Sequence, residues 1–150
     1  MRDEDARLIP SIGAEVITPV GGSERGNREM IADALRRIQE EGGENNFVIF
    51  TADQERNYYI QFAIGRGQTT FLAEAVSNQF LSPEHALSNE QIARLESMGW
   101  DHQEGSNYCR YWEASSDEER SDIAQEVMRT FIEVYGISPN DPIETKLVLE

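Results

Sequence analysis

Tyr58-Tyr59-Ile60-Gln61-Phe62-Ala63-Ile64, then Gly65-Arg66-Gly67-Gln68, then Thr69-Thr70-Phe71-Leu72-Ala73-Glu74-Ala75-Val76-Ser77 is the stretch whose reading decides the fold. Successive side chains on a strand point to opposite faces, so its period of two sets Tyr58, Ile60, Phe62 and Ile64 against Tyr59, Gln61 and Ala63. The return segment sets Phe71, Ala73 and Ala75 against Thr70, Leu72, Glu74 and Val76. Upstream, Phe47-Val48-Ile49-Phe50 is a compact apolar run that reads as a buried strand over Asn46 to Thr51, with Asp53 to Arg56 as the turn. Three strands joined by short turns predict an antiparallel meander.

Outward from the meander the elements are helices. A helix is expected from an N-cap at Asn27, with Met30, Ile31, Ala34, Leu35 and Ile38 at helical spacing and Gly42-Gly43 as its stop. Residues 78–87 are a loop with Pro83. Ser88 and Gln91 have the spacing of a capping box, in which the hydroxyl takes an orphan amide and the glutamine reaches back. Ile92, Leu95 and Met98 form that helix's apolar stripe and Gly99 ends it. A short strand is expected near Trp100 to His102, a polar turn at Gln103 to Ser106, and a strand over Tyr108 to Trp112. Ser116 and Glu119 repeat the capping spacing before a long helix with Ile123, Ala124, Val127, Met128, Phe131, Val134 and Tyr135, stopped by Gly136 and Pro139.

The fold expected is therefore α+β: an antiparallel sheet of three to five strands packed with helices, in the order α-β-β-β-α-β(-β)-α. One domain spans residues 27–137. Residues 1–26, interrupted by Pro10, Pro19 and Gly21-Gly22, read as a flexible leader in which Glu15 to Thr18 extends briefly. Residues 138–150 read as a tail of uncertain order.

Charge narrows the function. The 150 residues carry 28 acidic against 13 basic side chains, a net charge of −15. Gripping nucleic acid needs clustered Lys and Arg to neutralise phosphate, and an anionic membrane surface needs the same. Neither partner is expected; basic or amphipathic partners are. No segment approaches the ~20 apolar residues of a membrane span. Cys109 is the only cysteine, which excludes an intramolecular disulfide and a cysteine cluster for zinc. A reducing cytoplasm is the expected location.

Candidate chemistry is thin. His85 and His102 are the only histidines, and neither has a ligand partner at metal-binding spacing. Cys109 has no base near it in sequence. Gly65-Arg66-Gly67 lacks the third glycine and the following helix of a phosphate loop. No cofactor is expected and no catalytic residue is assigned. What remains is the sheet. One face must take the helices; if the other is partly apolar, it becomes a groove for a peptide or for a second copy. Tyr58, Tyr59, Ile60, Phe62, Phe71 and Leu72 are the candidate partner-binding residues.

Glu74-Ala75-Val76-Ser77-Asn78, Leu87-Ser88 with Gln91 and Leu95, Met98-Gly99-Trp100, and Asn107-Tyr108 with Trp112 together resemble the TY-Chap and YbjN-like domains, relatives of the type III secretion chaperones, over about Asn57 to Ile137. That resemblance implies a bacterial peptide- or protein-binding module, often acidic and often a homodimer, without enzymatic activity. It implies no particular binding residues. Two other readings stand beside it: a small-ligand or enzyme domain with an unrecognised pocket using Glu74, Cys109 or His102, and a purely oligomerising domain. The first of these requires an enclosed cavity with convergent polar groups.

Overall fold

The alternating stretch does form two paired strands, but the sheet around them is wider than its sequence pattern suggests. A computed structural model describes residues 14–17, 22–102 and 104–150. In chain order the elements are β1 (Ala14–Ile17), α1 (Glu24–Glu40), β2 (Asn46–Asp53), β3 (Tyr58–Ile64), β4 (Thr70–Ala75), α2 (Asn89–Ser97), β5 (Asp101–His102), β6 (Tyr108–Glu113), α3 (Asp117–Glu133) and β7 (Glu144–Val148). The strands make one seven-stranded sheet in the order β1-β7-β2-β3-β4-β6-β5, and every pairing is antiparallel.

The α+β class and the element order of the centre hold, while the strand count exceeds the expected three to five. The two additional strands come from the ends. Residues 144–148, expected in a tail of uncertain order, form β7 and fill the space between β1 and β2. Thr145 and Leu147 are fully buried, and this burial orders the segment. Asn46 anchors the residue 150 end beyond β7: its Oδ1 accepts from the Glu150 amide at 2.8 Å and from the Gly43 amide at 3.1 Å, and its Nδ2 donates to the carbonyls of Ile38 at 2.8 Å and Glu41 at 2.7 Å. Of the expected leader, residues 14–17 form β1, and residues 1–13 and 18–21 lie outside the described residues, as does Gln103 of the expected polar turn.

Local chemistry explains the helix limits. α1 begins earlier than expected, because Ser23 caps it by accepting from the Gly26 amide at 2.9 Å. Asn27 instead lies inside the helix, 2 % exposed, and donates to the Asp141 carbonyl at 2.8 Å. The helix ends at Glu40, with Gly42 at a positive φ of 73°. At α2, Ser88 and Gln91 form the reciprocal capping box. At α3 the expected box is only half present: Ser116 accepts from the Glu119 amide, while the Glu119 carboxylate accepts from the Ser115 amide rather than that of Ser116.

All three helices cover one side of the sheet. Ile31, Leu35 and Ile38 of α1, Leu95 of α2, and Ile123, Val127 and Phe131 of α3 share one core with Val48, Phe50, Ile60, Phe62, Phe71, Ala73 and Leu147 of the strands. Phe62 is at the centre, edge-on to Phe50 at 6.0 Å and to Phe71 at 6.1 Å, and stacked on Trp112 at 5.8 Å. Aromatic pairs in these geometries each add about 0.5–1.5 kcal/mol beyond burial. Among the described residues no helix covers the other side, which sets the location of the site.

Candidate functional site: the uncovered face of the sheet

Strand register places the uncovered side chains in rows. Phe47 pairs with Val148 on one side and Ala63 on the other. Ala63 pairs with Leu72, Leu72 with Tyr111, and Val148 with Ala14. The result is an unbroken apolar row, Ala14–Val148–Phe47–Ala63–Leu72–Tyr111, crossing six strands. At about 4.8 Å between strands, the part from Phe47 to Tyr111 is about 14 Å long, and Val148 beyond it is buried. Tyr111 is 67 % exposed; Phe47 and Leu72 are half-buried and Ala63 is exposed. A depression of about 320 Å³ lies over Phe47, Ala63 and Leu72, edged by Gln61 and Glu74, and a second of about 400 Å³ continues past Thr70 and Gln68.

The neighbouring row is polar: Val16–Lys146–Ile49–Gln61–Glu74–Cys109–Asp101. Gln61 Nε2 donates to Glu74 Oε1 at 2.9 Å. On the far side of the apolar row, Thr70 donates to Glu113. Next to the polar row, Tyr59 stands opposite Thr51, which pairs with Glu144.

The six sequence candidates divide between the two faces. Tyr58, Ile60, Phe62 and Phe71 are 5 %, 0 %, 1 % and 0 % exposed, packed under the helices. They offer no surface to a partner. Tyr59 and Leu72 lie on the uncovered side. Phe47, Ala63 and Tyr111 complete the row and are not among the sequence candidates. The signal for them is the cross-strand register, because each is ordinary within its own strand.

The features suggesting an enzyme do not converge. Glu74 and Asp101 both flank Cys109 across the strands. Burial pushes the Cys109 thiol above its ordinary value, and these two carboxylates push it further, the reverse of an activated nucleophile. His102 is exposed and lies on the Tyr108 ring at 4.7 Å. His85 meets Tyr58 only through its backbone carbonyl, at 2.9 Å. Among the described residues no cluster of three or more His, Cys, Asp or Glu is placed to hold a metal ion. The cavity between α1 and α3, about 460 Å³, is lined by Arg25, Arg28, Arg36 and Arg120 with Glu29, Asp33 and Asp117. Three of its arginines are already ion-paired: Arg25 to Glu29, Arg36 to Asp33, and Arg120 to Asp117.

The residues that carry the sequence resemblance are framework. Ser77 donates its amide to Asn107 Oδ1 at 3.0 Å, and Asn107 Nδ2 donates to Tyr59 Oη at 3.1 Å. Asn78 clamps Leu87 in both directions, accepting from its amide at 2.7 Å and donating to its carbonyl at 3.1 Å. Gln91 Nε2 donates to the Val134 carbonyl at 2.6 Å, fastening α2 to α3. Trp100 is edge-on to Trp112 at 5.6 Å, and Arg110 lies over Trp112 at 3.9 Å while donating to the Met98 carbonyl at 2.6 Å. Desolvation lowers the Arg110 pKa against the opposing pull of the Glu126 and Asp101 charges, and the aromatic faces and that carbonyl lie against the guanidinium.

A helix-backed antiparallel sheet with an uncovered apolar row carries the kind of contiguous apolar surface that marks an interaction site. Residues 25–143 match the family described as TY-Chap3, T3SS (YopN, CesT) and YbjN peptide-binding chaperone 3, and the chain belongs to that family. No curated protein and no solved structure matches the chain. The match runs beyond both ends of the stretch that carried the resemblance and takes in nearly all of α1 as well as the approach to β7.

Proposed function

We propose that this chain is an acidic, non-enzymatic chaperone-like protein of a bacterial cytoplasm that holds an unfolded segment of a client protein on the uncovered face of its sheet. The observation that carries this reading is the apolar row from Phe47 to Tyr111, open to solvent on a face that no described helix covers. Contiguous exposed apolar surface on a soluble domain marks an interaction site. The peptide-binding description of the family supports the same reading. A net charge of −15 keeps copies apart and a loaded complex in solution. No described helix is long and apolar enough to cross a membrane.

Fluorescent peptides with an apolar body test the reading. They bind the native protein, and Leu72→Asp weakens binding at least about tenfold, a difference of about 1.4 kcal/mol. Arg129→Ala, on the exposed side of α3, leaves binding unchanged. Binding that survives Leu72→Asp, or no binding at all, removes the sheet face as the site. A second copy is the other occupant to weigh. Sedimentation separates the two: a tight homodimer that Leu72→Asp converts to monomer assigns the face to self-association.

A further inference from the structure

The charges around the apolar row are unevenly placed. At the β4–β6–β5 end, Glu74, Asp101 and Glu113 all stand on the uncovered face, and no basic residue of β4, β5 or β6 stands on it. Arg110, the nearest in sequence, lies on the opposite face against Trp112 and the Met98 carbonyl. At the β7 end, Lys146 and Glu144 alternate on the same strand and offset one another. Lys146 has no ion pair among the described residues, while Glu144 already accepts from Gln54.

We propose that this face takes its client in one direction: a segment with an apolar body of about four residues and a cluster of Lys or Arg at one end, the basic end over Glu74 and Glu113 and the apolar body reaching toward Phe47. The length follows from the accessible row of about 14 Å and an extended chain's rise of about 3.3 Å per residue. The polarity follows from the placement of charge. Half-buried Glu74 and the exposed Glu113 and Asp101 stand on the same face as Leu72 and Tyr111, and a client bringing Lys or Arg there meets complementary potential. A client bringing Glu or Asp meets like charge, which is a strong discriminator. This inference rests on the proposed function, because it assigns chemistry and direction to the segment that the face holds.

Three fluorescent peptides share one apolar body and differ at one end, carrying lysines, glutamates or neutral polar residues. The lysine peptide binds at least about tenfold more tightly than the glutamate peptide, with the neutral one between them, and added salt narrows the gap. Glu74→Gln with Glu113→Gln reduces the preference severalfold. Glu84→Gln with Glu118→Gln removes the same net charge from the helix side and leaves the preference unchanged. A nitroxide on the basic end of the peptide broadens amide resonances of β4 and β6 and spares those of β7. Equal binding by all three peptides overturns the charge assignment while the proposed function stands. Broadening at β7 overturns the direction. Equal effects of the two double variants reduce the preference to net charge and overturn it as a property of this face. Failure of every peptide to bind overturns the proposed function together with this inference.

Discussion

Leu72 on β4 and Tyr111 on β6 stand directly opposite one another on the uncovered side of the sheet, while their chain neighbours Phe71 and Trp112 stand opposite one another on the helix side. Phe71 is fully buried and Tyr111 is 67 % exposed, so a shift of one residue along either strand exchanges core for surface.

Adjacent substitutions in β4 therefore differ sharply. Phe71→Ala empties a site in the core and costs about 3–5 kcal/mol. Leu72→Ala removes a half-exposed side chain and costs about 1 kcal/mol or less. Urea denaturation of the two variants checks this, and equal losses would contradict the face assignment.

Gly99 links α2 to Trp100 at a φ of +96°, and a Cβ there would lie 3.1 Å from Arg110 Nη1. Gly136 has a φ of +70° with nothing near its missing Cβ. Each Gly→Ala substitution forces an unfavourable backbone at a cost of about 1–2 kcal/mol. Gly99→Ala carries the greater loss, because Arg110 must also yield and its contacts with Met98 and Trp112 loosen. Denaturation midpoints rank the two, and the near-ultraviolet circular dichroism of the tryptophans changes only for Gly99→Ala.

Asn46 is 1 % exposed and satisfies backbone groups of the α1 C-terminus and of residue 150 together. Asn46→Ala strands buried donors and acceptors, each costing about 1–3 kcal/mol. The expected loss is about 2 kcal/mol or more, with faster amide hydrogen exchange in β7 than in β3. Uniform exchange across the sheet would show that the Asn46 contacts do not hold β7.

The Cys109 thiol reacts slowly with alkylating reagents near neutral pH, since burial first, and then Glu74 and Asp101, keep it protonated. Glu74→Gln removes one negative neighbour, lowers the thiol pKa and speeds alkylation severalfold at a given pH, with the rate still below that of an unfolded control. A native rate equal to the unfolded rate at about pH 7 would contradict this environment.

Alternation within 58–77 and the Ser88 capping box were readable because both depend on residues close in sequence. β1 reads only as a brief extension over Glu15 to Thr18 within a leader, and β7 does not read as a strand, because neither is held in the sheet without the other elements. Glu144-Thr145-Lys146-Leu147-Val148 alternates too, but the five residues follow Pro142 closely and gain their burial only by lying between β1 and β2. The site was half legible for a similar reason. Tyr58, Ile60, Phe62 and Phe71 are the bulkiest apolar groups of the meander, and that bulk is what the helices cover. The alternate positions, with Gln61, Glu74 and Thr70 among them, already mark the wetter face. Phe47 reads as wholly buried within the run Phe47-Val48-Ile49-Phe50, and Tyr111 reads only as a strand residue. Their alignment with Ala63 and Leu72 is a property of register across strands, which no single stretch of sequence displays.

The position of β7 also imposes an order in time. β1 pairs with no described strand other than β7, and β2 has β7 as its outer neighbour. When the chain is made from its N-terminus, α1, the meander and α3 can assemble before residues 144–148 exist, but the sheet stays two strands short. The rim of β2 is unpaired until then, and β1 has nowhere to dock. Closing that rim joins segments far apart in sequence, a kind of pairing that is intrinsically slow to form. Val148 takes its place beside Phe47 only at that step, so an incompletely made chain presents the face of β2, β3, β4 and β6 with its β2 rim unpaired.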